Sequence, residues 1–353
     1  MRTSFVSTMT LWKSSNSTLD KLQTNLIKAN KELVSGREAD VGLKLGYKTG
    51  QTLSLRQNRA EFDALIDSNT TALLRMKSTT TALDQIRGNA NKFRDALIAT
   101  PIRAASVDAI KHQARTSLEN MIASLNSNVG EQYIFGGLNT QEKPVTSYSN
   151  GAAPSAAKAA LDAAFAAPPP AGFGFAQNAA AVSAITPAEM EAFLDGAFSN
   201  LFQGANWTNW SDASSQNIQS QISTKEKVET SVNANEGAFR KLAMAYTMTF
   251  DLGLENLNEQ TREVLVNRIV DTLSEAVTDI TAVQSRLGVV QEKTEQAMER
   301  MSLQKTILDE KITNLEAVDT AEAKIRVDQL MTQIQTSYSL TAQLKNLSLV
   351  KFI

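Results

Sequence analysis

The 353-residue sequence has no cysteine and a single histidine, His112. Without thiols it cannot form disulfides, iron-sulfur centres, thiolate-ligated zinc sites or a cysteine nucleophile. One imidazole would have to carry any Ser-His-Asp system alone, and no nucleophile and base are spaced around it. An excess of one charge is lacking too. The 35 basic and 37 acidic residues give a formal net charge of −2, without the clustered Lys and Arg that hold nucleic-acid phosphates. Long hydrophobic runs are missing as well, and nothing approaches the ~20 apolar residues that cross a bilayer. Residues 1–13 mix Arg2, Ser4, Ser7 and Thr8 with isolated apolar residues, which is not the ~7–15-residue apolar run of a secretory signal. These absences predict a non-enzymatic protein with no cofactor, no metal site, no nucleic-acid partner and no membrane insertion.

Glycine and proline interrupt long helices, and their placement divides the chain. Six of the seven prolines lie between Pro144 and Pro187, and after Gly253 the only glycine is Gly288. Both ends therefore read as helical and the middle does not. Leu19, Leu22, Leu26, Ala29 and Leu33 alternate three and four apart, which places them on one helical seam that needs a partner helix, with Gly36 as its stop. Phe62, Leu65, Ala72, Met76, Leu83, Ile86, Ala90, Phe93 and Leu97 form a second seam before Pro101, spoiled only by Asn69 and Thr79. A third helix is expected from about Val107 to Val129. From Val266 through Ile269, Leu273, Ala276, Ile280, Val283 and Leu287 to Val290 the seam has no gap, and it continues loosely to Leu315. At ~1.5 Å per residue a helix from about Leu257 to Leu315 would be roughly 90 Å long. The seam fails at Glu316 to Glu322 and resumes with Val327, Leu330, Ile334, Tyr338, Thr341 and Leu344.

Two seams at opposite ends of the sequence are satisfied together if the chain runs out, turns at its middle and returns. The expected fold is mainly α: a long antiparallel helical rod, coiled-coil-like, built from the N- and C-terminal segments, with a small α+β or β-rich insert at its tip. The expected divisions are an assembly helix and loop over 1–48, rod helices over 49–138, an inserted outer domain over 139–235, rod helices over 236–318, and an assembly helix over 319–353 that pairs with 1–48. The window Gly151 to Ala188 is alanine-rich with only Lys158 and Asp162 as charges, and its Ala-Pro-Pro-Pro-Ala and Gly-Phe-Gly-Phe pieces read as loops and short strands of a small inserted domain. Because each short terminal helix has only the other to pack against, both are expected to order fully on assembly. Leu19, Leu22, Leu26, Leu33, Leu330, Ile334, Tyr338 and Leu344 are the candidate interface.

Other residue types have plain readings. His112 is expected on a solvated helix face. Asp40, Glu131 and Glu142 stand near glycines but match no calcium loop. The eight basic and four acidic residues among the first 48 are spread thinly, as on a solvated face. Trp207 and Trp210 read as buried anchors of a turn or strand in the insert, and Met298 and Met301 as core filler. Asn16, Asn69, Asn206 and Asn209 each open an Asn-x-Ser/Thr triplet, a weak signal in so Ser/Thr-rich a chain.

Several segments then bring a family resemblance. Ser35-Gly36-Arg37 after an N-terminal seam resembles the Ser-Gly-Arg or Ser-Gly-Lys segment of the flagellin superfamily. Arg286-Leu287-Gly288 with Gln291 resembles that superfamily's C-terminal Arg-x-x-Leu-Gly-x-x-Gln signature. Gly130 to Gly137, carrying Tyr133, Phe135 and Gly136, is similar to the Gly-x-Tyr-x-Phe-x-Gly motif of the flagellar hook-filament junction proteins, the FlgL family. Asn346 to Val350 is similar to that family's Leu-Ser-Leu-Leu terminus. The sequence departs from the pattern after Gly36, where Glu38 to Gly46 replaces the usual Asp-Asp-containing stretch, and at Met1 to Val6, which lacks the Ile-Asn-Thr-Asn type opening of filament flagellins.

The resemblance implies a structural adapter of the bacterial flagellum between a hook-associated protein and the flagellin filament, self-associated in a ring. It implies an extracellular location reached by type III export without a cleaved signal peptide, and an export chaperone covering the C-terminal helix at Leu330, Ile334 and Leu344. A filament-forming flagellin shares the same helical frame and stands as the alternative, with a non-flagellar coiled-coil partner-binding module behind it.

Overall fold

The structure is a computed structural model that describes the backbone of residues 8–99, 104–150 and 153–350, and the side chains of 13–99, 106–149 and 154–343. The chain divides into a terminal unit, Met1–Ala64 with Met301–Ile353, and a central unit, Leu65–Arg300. Two long helices contribute to both: Thr49–Ala99 and Glu259–Glu316, of 51 and 58 residues. Chain order assigns them α3 and α8.

In the terminal unit, α1 (Thr8–Ser35) packs antiparallel against α9 (Thr320–Val350). The direction follows from two cross-links: Gln23 Nε2 donates to the Tyr338 hydroxyl at 2.9 Å, and Glu32 meets Arg326 at 3.1 Å. Among the described side chains, Ala29, Ala323, Val327 and Ile334 are the buried apolar residues of this pair. A five-residue helix, α2 (Val41–Leu45), and a 3-10 turn (Gly46–Lys48) lead into α3. The first turns of α3 face the last turns of α8 through an antiparallel ladder of ion pairs, Arg56–Glu316 at 2.7 Å, Arg59–Asp309 at 2.5 Å and Asp63–Lys305 at 2.5 Å. The expected failure of the seam after Leu315 appears as a helix end at Glu316. The next helix starts at Thr320, where the Asp319 carboxylate accepts the free N–H of Ala321 at 2.8 Å and so begins the new helix as an N-cap acid does.

The central unit holds the deep core. α3 and α8 are again antiparallel, linked by Lys77–Glu295 at 3.2 Å, Gln291–Thr80 at 3.0 Å and Gln284–Asp84 at 2.9 Å. α4 (Ala104–Leu125) and α7 (Gly237–Asp251) pack against each other. Met76, Leu83, Ile86, Phe93, Leu118, Leu125, Phe239, Tyr246, Ile269, Leu273 and Ile280 are all buried in one cluster. The expected third helix is present and ends four residues early. Asn69, a polar interruption of the α3 seam, is buried because its amide donates to the Ile222 carbonyl at 2.9 Å.

Between α4 and α7 the only strands among the described residues form three two-stranded antiparallel hairpins. They are β1 (Asn128–Val129) with β2 (Gln132–Tyr133), β3 (Ser149–Asn150) with β4 (Ala153–Pro154), and β5 (Gln219–Gln221) with β6 (Lys227–Glu229). Within the window Gly151 to Ala188, Ala156–Ala166 is a helix, α5, that the sequence reading did not anticipate, and the expected short strand at Gly-Phe-Gly-Phe, residues 172–175, is corrected to an irregular loop. Alanine is the best helix former, the Ser155 hydroxyl accepts the N–H of Lys158, and Ala157, Leu161 and Phe165 bury one face at four-residue spacing. A second helix, α6 (Pro187–Phe193), starts with a capping box between Thr186 and Glu189. Trp207 sits on a 3-10 turn (Gly204–Asn209) that Trp210 closes. Both indoles are buried and stacked at 5.7 Å, and Trp207 Nε1 donates to Asn235 at 2.8 Å.

Candidate assembly surface

The expected seam of α1 faces α9 but is covered only in part. Leu19, Leu22, Leu26 and Leu33 are half-buried, as is Leu330 on α9, while Ile334 is buried. Tyr338 is 52% exposed at the border of the seam. The side chain of Leu344, like those of Asn346 to Val350, lies outside the described residues. A pair of helices leaves most of each helix circumference open, so leucines at the edges of the seam keep contact with water.

The same unit also carries apolar side chains that lie largely open to solvent. Ile27, Val34, Leu43, Tyr47, Leu53, Leu303, Ile307, Ile325, Met331 and Leu340 are each about half or more exposed. Among the described residues the larger central unit exposes only Leu74, Ile98, Leu138 and Val289 in this way. Burying a Leu- or Ile-sized side chain is worth ~1.5–3 kcal/mol. A surface so rich in them is a surface for association.

Ion pairs link the segments of this unit. Lys44 pairs with Glu38 at 2.9 Å, and this hydrogen bond raises the ammonium above its ordinary range. Lys305 bonds Asp63 and draws its carboxyl below the usual range. Glu32 and Glu316 are both buried, at the C-terminal ends of α1 and α8.

The motif residues divide between the two units. Ser35, Gly36 and Arg37 lie in the terminal unit at the end of α1, where the Ser35 hydroxyl is 3.2 Å from the N–H of Arg37. The others belong to the central unit, and all but Gly288 make contacts there. Tyr133 lies on β2, where its N–H donates to the Thr140 carbonyl at 2.8 Å. Phe135 is buried edge-on against Phe239. A side chain at Gly136 would meet the Asn139 carbonyl oxygen at 2.5 Å. Arg286 binds Glu236 at 2.5 Å, Leu287 is buried, and Gln291 reaches Thr80. Gly288 has nothing within 4 Å of where a Cβ would stand.

The charge cluster that sequence reading did not find is Tyr148, Lys158, Asp162 and Asp251. Tyr148 donates to Asp251 at 2.5 Å, and Lys158 bridges both carboxylates. Burial raises the Asp251 carboxyl, against the pull of Tyr148 and Lys158. Lys158 and Asp162 form an i,i+4 pair on α5, but Tyr148 precedes that helix and Asp251 lies 103 residues after Tyr148, a juxtaposition that spacing does not announce. Their cations and anions are mutually paired, and His112 is exposed on α4. Among the described residues no group of three or more His, Asp or Glu is placed to hold a metal ion, and no helix is long and apolar enough to cross a membrane.

Comparison with known proteins gives the family. Residues 6–140 match the bacterial flagellin N-terminal helical region and residues 270–353 match the bacterial flagellin C-terminal helical region, together more than half of the chain. Among solved structures the fold is similar to that of a protein assigned as a flagellar hook-associated protein from Vibrio parahaemolyticus. The TM-score is 0.51 at 7% identity, covering 76% of this chain and 97% of that one. No curated protein matches. Flagellin helical regions at both ends of the sequence, on terminal helices that expose apolar side chains, lead to one conclusion: the chain belongs to the flagellin superfamily, as a structural, non-enzymatic subunit of the flagellum exposed outside the cell.

Proposed function

We propose that this subunit is a hook-filament junction adapter, placed between a hook-associated protein and the flagellin filament and self-associated in a ring. The observation that carries assembly is the set of uncovered apolar side chains on the terminal unit, from Ile27 and Val34 on α1 to Ile325 and Leu340 on α9. The junction position is supported by the Gly130 to Gly137 segment, which resembles the junction family, and by the likeness to a hook-associated fold. In this reading residues 1–48 and 319–353 pack in the wall of the tube and the insert, residues 139–235, faces outward. Leu330, Ile334 and Leu344 are covered by an export chaperone before the unfolded chain leaves through the type III channel, a path suited to a sequence without cysteine.

Both family matches are to flagellin helical regions, which keeps a filament-forming flagellin as the second reading. Immunogold labelling of isolated flagella with an antibody to the insert separates the two. The adapter requires label confined to the hook-filament boundary. Label along the whole filament would make the chain a flagellin, and flagella without label would return it to a coiled-coil module.

A further inference from the structure

The insert holds a cavity of about 370 Å³ that the assembly reading does not use. One of its walls is the segment after α5, and it is pinned to the end of that helix. The Phe173 N–H donates to the Phe165 carbonyl at 2.8 Å and the Gly174 N–H to the Ala167 carbonyl at 2.9 Å. Gly172 lies so close to α5 that a Cβ there would run into the Ala164 carbonyl oxygen. A second wall is a 3-10 turn (Ala180–Ala184) with Ile185 and α6. The Ile185 carbonyl ties it to the start of α8, accepting from Asn258 Nδ2 at 2.8 Å and from the Thr261 hydroxyl at 2.7 Å. With both walls held by hydrogen bonds, the space exists before anything enters it, and a ligand does not have to order it.

The lining is mostly apolar, with Phe173, Phe175 and Phe193 beside Pro169, Pro170 and Ile185. Phe173 has its ring centroid 4.7 Å from that of Phe165 and 5.0 Å from that of Phe193, yet it stays half-buried, as does Phe175. The same region buries Phe165, Phe193, Phe198 and Phe202 almost completely. Two part-open rings within it mark space that the fold does not fill.

One charged group lines this space, Glu189. The capping box of α6 holds its carboxylate by Oε2, which accepts from the Thr186 N–H at 2.9 Å and from the Thr186 hydroxyl at 2.8 Å. The bond from the backbone keeps the carboxyl below its ordinary range. Oε1 makes no hydrogen bond among the described residues. No cation of the chain answers it. Between Asp162 and Asp195 the only charged residues are Glu189 and Glu191. Lys158 is taken by Asp162 and Asp251, and Arg268 by Asp195.

Aromatic rings and a fixed carboxylate select the same class of molecule. Ring faces attract cations within about 6 Å of the centroid. Apolar walls favour a body that displaces loosely held water, and one placed polar group orients it. We propose that this cavity binds a small organic cation, an ammonium group on an aromatic or branched apolar body, with the nitrogen at Glu189 and the body among Phe173, Phe175 and Phe193. The site lies wholly within the central unit and stands independently of the assembly reading.

Ligand-observed NMR titration of the full-length chain at low ionic strength tests it, with benzyltrimethylammonium as the probe and phenylacetate as a ring of opposite charge. A cation of about eleven non-hydrogen atoms should bind with a Kd of about 1 mM, and phenylacetate at least about tenfold more weakly. Glu189→Gln keeps the capping box, which glutamine also completes, and should weaken the cation about fivefold or more. Ala192→Phe, at a lining position on α6, fills the space and should abolish binding. Both positions are exposed, so both variants should melt within a few degrees of the parent. No binding by the parent at about 10 mM, equal affinity for phenylacetate, or an unchanged Kd in Glu189→Gln would each overturn the cation site. An unchanged Kd in Ala192→Phe would put the probe elsewhere on the chain and overturn it as well.

Discussion

The central unit and the terminal unit are built from the same two long helices, yet they solve the burial problem in opposite ways. The central unit adds α4, α7 and an aromatic insert, and buries Phe93, Phe135, Phe165, Phe198, Phe202, Phe239 and Tyr246 almost completely. The terminal unit adds α1, α9 and the five-residue α2. Its buried apolar residues are few and mostly smaller than an aromatic ring, and three of its most buried side chains are polar: Glu32, Thr52 and Glu316. The first unit has the material to be stable alone. The second has the surface to be stable in company.

The largest test of that contrast is a pair of core deletions. Phe239→Ala removes a ring that is fully buried against Phe135 and should cost the central unit about 3–5 kcal/mol, read by chemical denaturation. Ile334→Ala in the terminal unit leaves a position already 9% exposed and should cost nearer 2 kcal/mol, at the low end of such truncations. Ile334→Asp should abolish incorporation into flagella while the near-ultraviolet dichroism of the buried Trp207 and Trp210 keeps its melting temperature. A central unit that melts earlier in Ile334→Asp would mean that the two stabilities are not separable.

Gly137→Ala is the next largest. Gly137 has φ +62°, and an added Cβ would stand 2.4 Å from the Ser214 carbonyl oxygen and 2.6 Å from that of Gln216. The unfavourable φ alone costs about 1 kcal/mol, and displacing two backbone carbonyls should take the total to roughly 2–4 kcal/mol. Gly130→Ala also has a positive φ but meets nothing within 4 Å, and so should lose only the conformational part. Similar melting temperatures for the two variants would remove the close approach as a cause.

Much of this contrast was legible from residue spacing. The gapless seam from Val266 to Val290 gave α8 nearly to its ends, and the acids at Asp319 and Glu322 gave the break before α9. α7 falls within the rod helices expected over 236–318, but no seam marked it as a separate helix, because the small and polar side chains among Ala238, Leu242, Ala245 and Thr249 dilute the three- and four-residue repeat. α5 was missed because an alanine-rich segment beside prolines reads as a loop until its Ser155 cap is weighed. The pairing of α1 with α9 was legible as a demand for a partner. Glu316 was legible only as a fault in a seam, since nothing in the sequence tells a solvated break from a buried carboxylate held by Arg56, 260 residues away.

Acid should act on the two units with opposite sign at two residues. Asp63 in the terminal unit has its carboxyl lowered by the hydrogen bond from Lys305. Its contribution is present above the unfolded carboxyl value of ~3.9 and is lost as pH falls through the lowered folded value. Asp251 in the central unit has its carboxyl raised by burial, so its contribution is present below ~3.9 and is lost as pH rises through the raised folded value. Melting curves between pH 6 and pH 3 should therefore lose part of their acid sensitivity in Asp63→Asn. Asp251→Asn should lose part of the compensating gain. Acid sensitivity that grows in Asp63→Asn would reverse the assignment.

The smallest effect is expected at Gly288, within α8 of the central unit. A glycine in a helix interior costs up to about 1 kcal/mol relative to alanine, chiefly through the freedom of the unfolded chain. A Cβ at Gly288 would meet no atom within 4 Å, and its φ lies outside the positive range. Gly288→Ala should therefore stabilise the free chain by about 0.5–1 kcal/mol, raising the melting temperature by a few degrees at most. Next to it, Val289 is 55% exposed, so the central unit is open at this point. A loss of stability in Gly288→Ala would mean that the surroundings of this turn are tighter than its open side indicates. A gain in the free chain would leave glycine at this motif position without a purpose inside one subunit, and would point outward, to whatever packs against α8 in the flagellum.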